Sequence, residues 1–238
     1  MRTIRIVDFE TTGTAPPAHV IEVGVCDLAD GSPSGAWNIT PPRARLCGGG
    51  VITAETRAIH HISPAEILGL DSFNAQAFVA EAKADGVVAI AAHHADFEGK
   101  WIGADLDGIP LICTYKAALR IWPDEPVHSN QFLRYRLEEL GLSEPDPTLC
   151  QPAHRAGPDA YATAHLVKAL LGRASVADLV AWTKEPAALP RCPIGEKWRG
   201  KKWSEVDDGF LGWMLKQATM DPDLKWNAQR ELARRTSA

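Results

Sequence analysis

The pattern of apolar and polar positions is clearest near the start of the chain, in the run IRIVDFETTG at residues 4–13. In a strand, alternate residues project from the same face. Asp8 and Glu10 would therefore lie on the face that carries Ile4 and Ile6. Two further strand-like runs, at residues 20–28 and about 35–40, are separated from the first by Gly and Pro turns. The pattern therefore predicts an N-terminal three-stranded meander.

Helical and strand-like segments alternate after this meander. Residues 71–84 and 129–140 have helical spacing, and the apolar runs at 87–92 and 111–114 are typical of strands buried on both faces. This alternation predicts an α/β fold in which helices cover a mixed sheet. The Gly-rich stretch CGGGVITAETRAIHHISP, at residues 47–64, is predicted to be an irregular insertion before the first helix.

Asp8 and Glu10 form a candidate metal site at the end of the first strand. Side chains two residues apart on a strand stand roughly 6 to 7 Å apart. This separation suits two metal ions about 3.5 to 4 Å from each other, as two-metal nucleases require. Carboxylate oxygens are the ligands that Mg²⁺ or Mn²⁺ prefers. The alternative is that both acids begin a solvated turn closed by Gly13.

Asp96 follows the apolar run at residues 87–92, in the first turn of a helix that the spacing of Phe97 and Trp101 predicts. Ligands of open α/β sheets collect at the carboxyl ends of strands, so Asp96 is a candidate ligand. The alternative is an Asp that satisfies free backbone amides at a helix start. The neighbours His93 and His94 are either substrate contacts or turn histidines bonded to backbone.

Asp159 lies in the first turn of another predicted helix, which Gly157 and Pro158 begin. His154 precedes it in a Pro-rich stretch that predicts a loop. A loop histidine near metal-bound water can act as a general base, because its ordinary pKa of about 6.5 is close to working pH. A structural role is the alternative for His154, and His165 is assigned to packing.

Together, DFETTG from Asp8, H-x-A-D-F-E from His93 and H-x(4)-D from His154 resemble the three motifs of the DEDDh 3′–5′ exonuclease superfamily. The segments that begin at Cys113 and at His154, and the C-terminal IGEKWRGKKWSEVDDGFLGWML, are similar to the exodeoxyribonuclease X group. The resemblance covers nearly the whole chain. It implies a ribonuclease H-like exonuclease fold, with a mixed five-stranded sheet flanked by helices and a small C-terminal helical appended domain.

In such enzymes four acids hold two Mg²⁺ ions, which Mn²⁺ can replace, and a histidine activates the attacking water. The resemblance assigns these catalytic roles to Asp8, Glu10, Asp96, Asp159 and His154. It implies substrate contacts at Thr11, Thr12, His61 and His94. Many relatives carry Asn at the position of His94, and a plain surface turn is the alternative for His61.

A domain boundary is predicted between about residues 184 and 190, where KEPAALP breaks the helical pattern. This divides the chain into an exonuclease domain, residues 1–184, and a small C-terminal domain, residues 190–238. The segment at residues 191–203 mixes basic residues with Trp198 and Trp203, which suits a nucleic-acid strand. The alternative is that both tryptophans form the core of a small domain.

Composition limits the function classes. The formal net charge of −5 argues against a broad electrostatic grip on duplex DNA and favours binding of the last few nucleotides of a strand. No apolar run reaches the length of a membrane span, and the five cysteines form no C-x-x-C pair. A cytoplasmic enzyme with reduced thiols and no membrane partner is expected, and the oligomeric state stays open.

The resulting hypothesis is a metal-dependent exonuclease that releases nucleoside 5′-monophosphates from 3′ ends, with DNA favoured over RNA and a role in DNA repair or end processing. One alternative is an exoribonuclease of the oligoribonuclease or ribonuclease T type, which would discriminate through the 2′-OH. The other is a non-catalytic nucleic-acid-binding or polymerase-associated module.

Overall fold

The computed structural model describes residues 2–15, 17–31, 36–103 and 106–236. A six-stranded sheet lies at the centre of this part of the chain. Its strands are β1 (Thr3–Thr11), β2 (Val20–Gly31), β3 (Ala36–Ile39), β4 (Arg43–Leu46), β5 (Val87–Ala92) and β6 (Leu111–Cys113). The order is β3-β2-β1-β5-β6, and β4 also pairs with β2. The sheet is mixed, because β1 runs antiparallel to β2 but parallel to β5.

The helices surround this sheet and continue beyond it. Those of the first 184 residues are α1 (Ala54–His60), α2 (Pro64–Ile67), α3 (Ala75–Ala84), α4 (Asp96–Ile102), α5 (Thr114–Ile121), α6 (Asn130–Glu139), α7 (Ala156–Leu171) and α8 (Val176–Lys184). The C-terminal segment adds α9 (Asp208–Lys216) and α10 (Pro222–Thr236).

Both faces of β1 are buried, because its two parity sets both contain apolar residues. Ile4 and Ile6 pack into one cluster with α5, α6, α7 and α8. Val7 and Phe9 pack into a second cluster with α3 and α4. The sheet is therefore the middle layer of a three-layer α/β arrangement, and residues that share the parity of Ile6 face α7.

Helix α7 packs very closely on β2, at Gly24. A Cβ at position 24 would overlap the carbonyl group of Ala156, the first residue of α7. Only the hydrogen atom of a glycine leaves room for this approach. The close packing places the first turn of α7 beside β1 and β2.

The predicted α/β fold is confirmed, and the three meander strands occur at the predicted places. Of the run predicted at residues 35–40, β3 takes Ala36–Ile39, and Gly35 lies outside the described residues. The sixth strand, β4, was not predicted. Its sequence, RARL, is short and half charged, and it is held in the sheet by pairing with β2 rather than by its own pattern.

The prediction of an irregular insertion at residues 47–64 was wrong. Helix α1 begins there with Thr53 as its N-cap, whose side chain accepts a hydrogen bond from the Thr56 N–H. At the start of α2, the Glu66 carboxylate accepts a hydrogen bond from the Ser63 N–H. Glycines before α1 hid these capping signals, which are local and need no long apolar stripe.

The C-terminal segment packs around an apolar cluster of its own, which includes Trp203, Leu211 and Met214. Trp203 is a core residue, and its indole N–H donates to the Leu189 carbonyl oxygen at 2.8 Å. The core interpretation therefore holds for Trp203, and Trp198 packs partly buried against the same cluster. The division into domains at residues 184–190 stays a prediction.

Among the described helices, none has the length and apolar character that a membrane crossing requires. The five cysteines are buried and unpaired, as expected from their spacing. The cytoplasmic location stays a prediction.

Candidate active site

The candidate site lies where β1 extends beyond the end of its parallel pairing with β5. The pairing of β1 with β5 ends at Ile6, so Asp8 and Glu10 project beyond the end of the parallel ladder. A cavity of about 430 Å³ opens there, lined by both acids, by His93 and His94 after β5, and by His154 and Asp159 before and within α7. The predicted edge of the sheet is therefore concave and large enough for a ligand.

Three carboxylates converge in this cavity. One oxygen atom from each of Asp8, Glu10 and Asp159 can be chosen so that all three lie within 4.8 Å of one another. Asp8 and Glu10 reach this point because they share a face of β1, and Asp159 reaches it because the first turn of α7 packs against the same face.

Two neutral donors orient the Asp159 carboxylate. The Gln131 side-chain amide donates to Oδ1 at 2.6 Å, and the His154 backbone N–H donates to Oδ2 at 2.9 Å. Neither partner neutralises the charge. The carboxylate is therefore fixed in direction while its negative charge stays in the cavity.

Burial raises the pKa of all three acids, and repulsion between carboxylates raises it further for Asp8 and Glu10. The pKa of Asp8 is raised well above its usual value, first by burial and then by the charges of Asp159 and Glu10. Burial, Asp159 and Glu22 raise the pKa of Glu10 to about 8. Burial also raises the pKa of Asp159, against its hydrogen bonds to His154 and Gln131. Such a cluster needs either protons or cations to be stable.

The fourth acid at the cavity is Glu98, not Asp96. The Asp96 side chain is 78% exposed and pairs with Lys116 at 3.4 Å, and Asp96 does not line the cavity. Glu98 lines the cavity, is only 3% exposed, and has a buried Oε2 atom without a hydrogen-bond partner among the described residues. Burial, and then the charges of Glu10 and Asp96, raise the pKa of Glu98 to about 8.

Helical geometry explains why the Asp96 side chain faces away from the cavity, although Asp96 lies in the predicted first turn of the helix. Residues two apart on a helix point about 200° apart, so only one of Asp96 and Glu98 can face the cavity. Glu98 lies one turn before the buried Ile102, whereas Asp96 lies one turn before the exposed Lys100. This i, i+4 spacing was the signal in the sequence that would have selected Glu98.

His154 lies on the loop before α7, lines the cavity and is exposed. Its backbone has a φ of 59°, in the left-handed region that non-glycine residues seldom adopt. The next residue, Arg155, is bound to the buried Glu22 of β2. The backbone at His154 is thus held by Asp159 on one side and by the Arg155–Glu22 ion pair on the other.

Of the four predicted substrate contacts, two line the cavity. Thr11 and His94 do so, whereas Thr12 and His61 do not. The Thr12 hydroxyl instead accepts a hydrogen bond from the His19 N–H at 2.9 Å. His61 ends α1 in the left-handed region, so the preceding His60 lines the cavity in its place.

Residues of α1 were missed by the sequence analysis. Thr56, Ile59 and His60 form one wall of the cavity. Ile59 is exposed there, and apolar side chains exposed inside a cleft suit contact with a base or sugar. Helix α1 had to be recognised before this face could be predicted.

The donor set fits divalent cations. Four carboxylates line one cavity, and Arg155, which lowers the pKa of Glu10, is bound to Glu22 rather than to the three clustered acids. Hard oxygen ligands of this kind suit Mg²⁺, Mn²⁺ and similar ions. No cysteine lines the cavity to favour a softer metal.

Several solved structures with a similar fold are exonucleases. Exonuclease X, solved in complex with 5′-overhanging duplex DNA, is 25% identical, with a TM-score of 0.58 over 76% of this chain and 99% of that one. A full-length 3′-exonuclease is 17% identical, with a TM-score of 0.52 over 71% of this chain and 60% of that one. The zinc-bound complex of E. coli exonuclease I with single-stranded DNA is 17% identical, with a TM-score of 0.54 over 76% of this chain and 42% of that one.

No family model matches the chain, and no curated protein matches its sequence. The likeness to exonuclease I and to the 3′-exonuclease shows the fold alone. The resemblance to the DEDDh exonucleases is nevertheless confirmed at the level of structure, and the fold is the predicted ribonuclease H-like exonuclease fold with one additional strand.

Proposed function

We propose that this chain is a divalent-metal-dependent 3′–5′ exonuclease that releases nucleoside 5′-monophosphates from the 3′ ends of DNA. The convergence of the Asp8, Glu10 and Asp159 oxygens within 4.8 Å carries the proposal. The fold shared with exonuclease X, which was solved with duplex DNA, supports it. DNA as the preferred substrate, Mg²⁺ as the natural metal and a role in DNA repair or end processing are parts of the proposal.

Four residues would hold the metal ions: Asp8, Glu10, Glu98 and Asp159. When bound, the ions would lower the pKa of water and stabilise charge on the attacking and leaving oxygens. Their positive charge also makes an acidic cavity receptive to a phosphodiester. Glu98 takes the place that the sequence analysis assigned to Asp96, because its carboxylate is the one that lines the cavity.

His154 is the proposed general base. It lines the cavity beside Asp159, on an exposed loop from which its ring can reach a water molecule. Proton transfer by a positioned side chain contributes about 10²- to 10⁴-fold in rate. We therefore expect His154→Ala to lower the turnover rate by that factor while substrate binding is kept.

Purified protein and labelled oligonucleotides test the proposal. A 3′-labelled strand should release labelled mononucleotide at once, and a 5′-labelled strand should shorten stepwise. Both reactions should need Mg²⁺ or Mn²⁺ and stop with a chelator. Asp8→Asn should abolish them. Internal cleavage products, or undiminished activity of Asp8→Asn, would contradict the proposal. Faster digestion of a matched RNA would show that RNA, rather than DNA, is the preferred substrate.

A further inference from the structure

A second cavity, of about 320 Å³, adjoins the active-site cavity. His94 lines both of them. Its ring stacks on Tyr115, with centroids 3.8 Å apart and planes inclined by 26°. The two cavities therefore share the His94 side chain, and Tyr115, on which it stacks, lines the second of them.

The far wall of the second cavity comes from the C-terminal segment. Leu189, Pro190 and Arg191 line it together with Tyr115 and Val127. The segment is fixed in place, because Trp203 donates to the Leu189 carbonyl oxygen and Arg191 forms a β-bridge with Lys202. The cavity thus exists only because this segment packs against the first 184 residues.

Two hydrogen bonds and an ion pair hold the residues that lead into this wall. The Ala187 N–H donates to the Asp223 carboxylate at 2.9 Å, and the Asn227 side-chain amide donates to the Ala187 carbonyl oxygen at 2.7 Å. Arg120 of α5 forms an ion pair with Glu185 at 2.7 Å. The ion pair joins α5, which contains Tyr115, to the residues before the C-terminal segment, and the two hydrogen bonds join those residues to α10.

The charges at the second cavity favour an anion. Among the described residues Arg191 forms no ion pair, and its Nη1 atom donates to the Gly200 carbonyl oxygen at 3.0 Å. Glu125, the acid that lines the cavity, is bound by Arg136, whose Nε lies 3.0 Å from both of its oxygens. The positive charge of Arg191 is therefore left for a ligand.

We propose that the second cavity binds the nucleotide that precedes the 3′-terminal one, with its phosphate at Arg191 and its base against the apolar wall of Tyr115, Leu119 and Val127. The inference depends on the proposed function, since the 3′-terminal nucleotide occupies the first cavity. The volume of 320 Å³ lies within the usual range for ligand sites, about 300 to 1,000 Å³. The C-terminal segment would then act as a substrate clamp.

Two substrates separate this subsite from the catalytic cavity in the full-length protein. The p-nitrophenyl ester of thymidine 5′-monophosphate has no second phosphate for Arg191 to bind, whereas a thymidine oligonucleotide has one. Because an arginine–phosphate contact is a charge-assisted hydrogen bond, Arg191→Ala should lower kcat/KM for the oligonucleotide about tenfold. It should leave kcat/KM for the ester unchanged. Arg173→Ala is the control, because that exposed arginine follows the far end of α7.

A second pair of variants tests the site without removing a contact. Val127 is 46% exposed at the cavity, so Val127→Glu should fold normally and repel the phosphate. Val127→Gln matches it in size without the charge, and only the Glu variant should lower activity on the oligonucleotide.

The outcomes are distinct. Unchanged oligonucleotide kinetics in both Arg191→Ala and Val127→Glu would overturn the subsite, as would an equal loss on both substrates. If the wild-type protein hydrolyses neither substrate, the proposed function fails and the subsite fails with it.

Discussion

The guanidinium of Arg155 binds both carboxylate oxygens of Glu22, with Nη2 2.6 Å from Oε1 and Nε 3.0 Å from Oε2. The Ala156 N–H donates to the same carboxylate at 2.9 Å. Glu22 is 3% exposed and the Arg155 side chain 28%, so the carboxylate is buried and the guanidinium is partly buried. It connects β2 to the loop that carries His154 and to the first turn that carries Asp159.

Arg155→Ala should therefore destabilise the protein and slow catalysis together. Removing one partner of a buried pair leaves an uncompensated charge and costs about 3 kcal/mol or more. Arg155→Lys should recover only part of this loss, because an ammonium group cannot form the two parallel hydrogen bonds. Urea unfolding gives the stability, and turnover at saturating substrate gives the effect on the His154 loop.

The double variant Glu22→Leu with Arg155→Met is the matched control for the charge itself. A well-packed apolar pair can replace a buried ion pair with little loss of stability. If the pair positions His154, the double variant should regain stability but not full turnover. Equal recovery of both would show that the pair serves folding alone.

Neutralising Glu98 should lower kcat much more than neutralising Asp96. We expect Glu98→Gln to lower kcat at least about 100-fold, because even indirect metal contacts are worth 10- to 100-fold. Asp96→Asn should stay within about threefold of the wild type, since this carboxylate is exposed and its pairing with Lys116 is at 3.4 Å. The reverse order of effects would return the metal-ligand role to Asp96.

The metal-free protein should lose stability as the pH rises. The pKa values of Glu10 and Glu98 are raised to about 8, first by burial, so the folded state holds protons that the unfolded state releases above pH 4.5. The native state then binds more protons, and the free energy of unfolding falls as pH increases from about 4.5 to about 8. Mg²⁺ should reverse this fall by stabilising the charged form.

Thermal unfolding with and without Mg²⁺ measures that effect. The rise in Tm caused by the metal should be larger near pH 8 than near pH 5. Glu10→Gln should flatten the pH dependence of the metal-free protein, and Asp96→Asn should not. A metal effect that is the same at both pH values would contradict the linkage.

His165 should make the protein sensitive to acid. His165 lies on α7, where burial, and then the charges of Lys168 and Arg134, lower its pKa to about 4. The Nδ1 atom of His165 lies 2.8 Å from the Ser143 hydroxyl. Protonation is easier in the unfolded chain, so stability is lost as pH falls from about 6.5 towards about 4. His165→Gln should reduce this loss in urea unfolding at several pH values, and an unchanged slope would exclude the histidine as its cause.

The sequence predicted the parts of the site that depend on strand parity and helix starts. Asp8 and Glu10 could be placed together because a strand repeats every two residues, and Asp159 because Pro158 indicates a first helical turn. Glu98 was missed because the prediction used only its neighbour's place at the helix start, and not the helical spacing to Ile102 that identifies the buried face. The role of α1 was missed because its glycine-rich flank resembles a loop, and β4 because its pairing is supplied by β2.

The contact between Gly24 and Ala156 helps to fix the distance between two of the clustered carboxylates. At this contact the backbone of β2 touches the backbone of α7. The separation of Asp159 from Glu10 therefore does not depend on the packing of any intervening side chain. Conservative substitutions elsewhere in the apolar layers should leave that separation intact, while one methyl group at position 24 would push the helix away and widen the metal site.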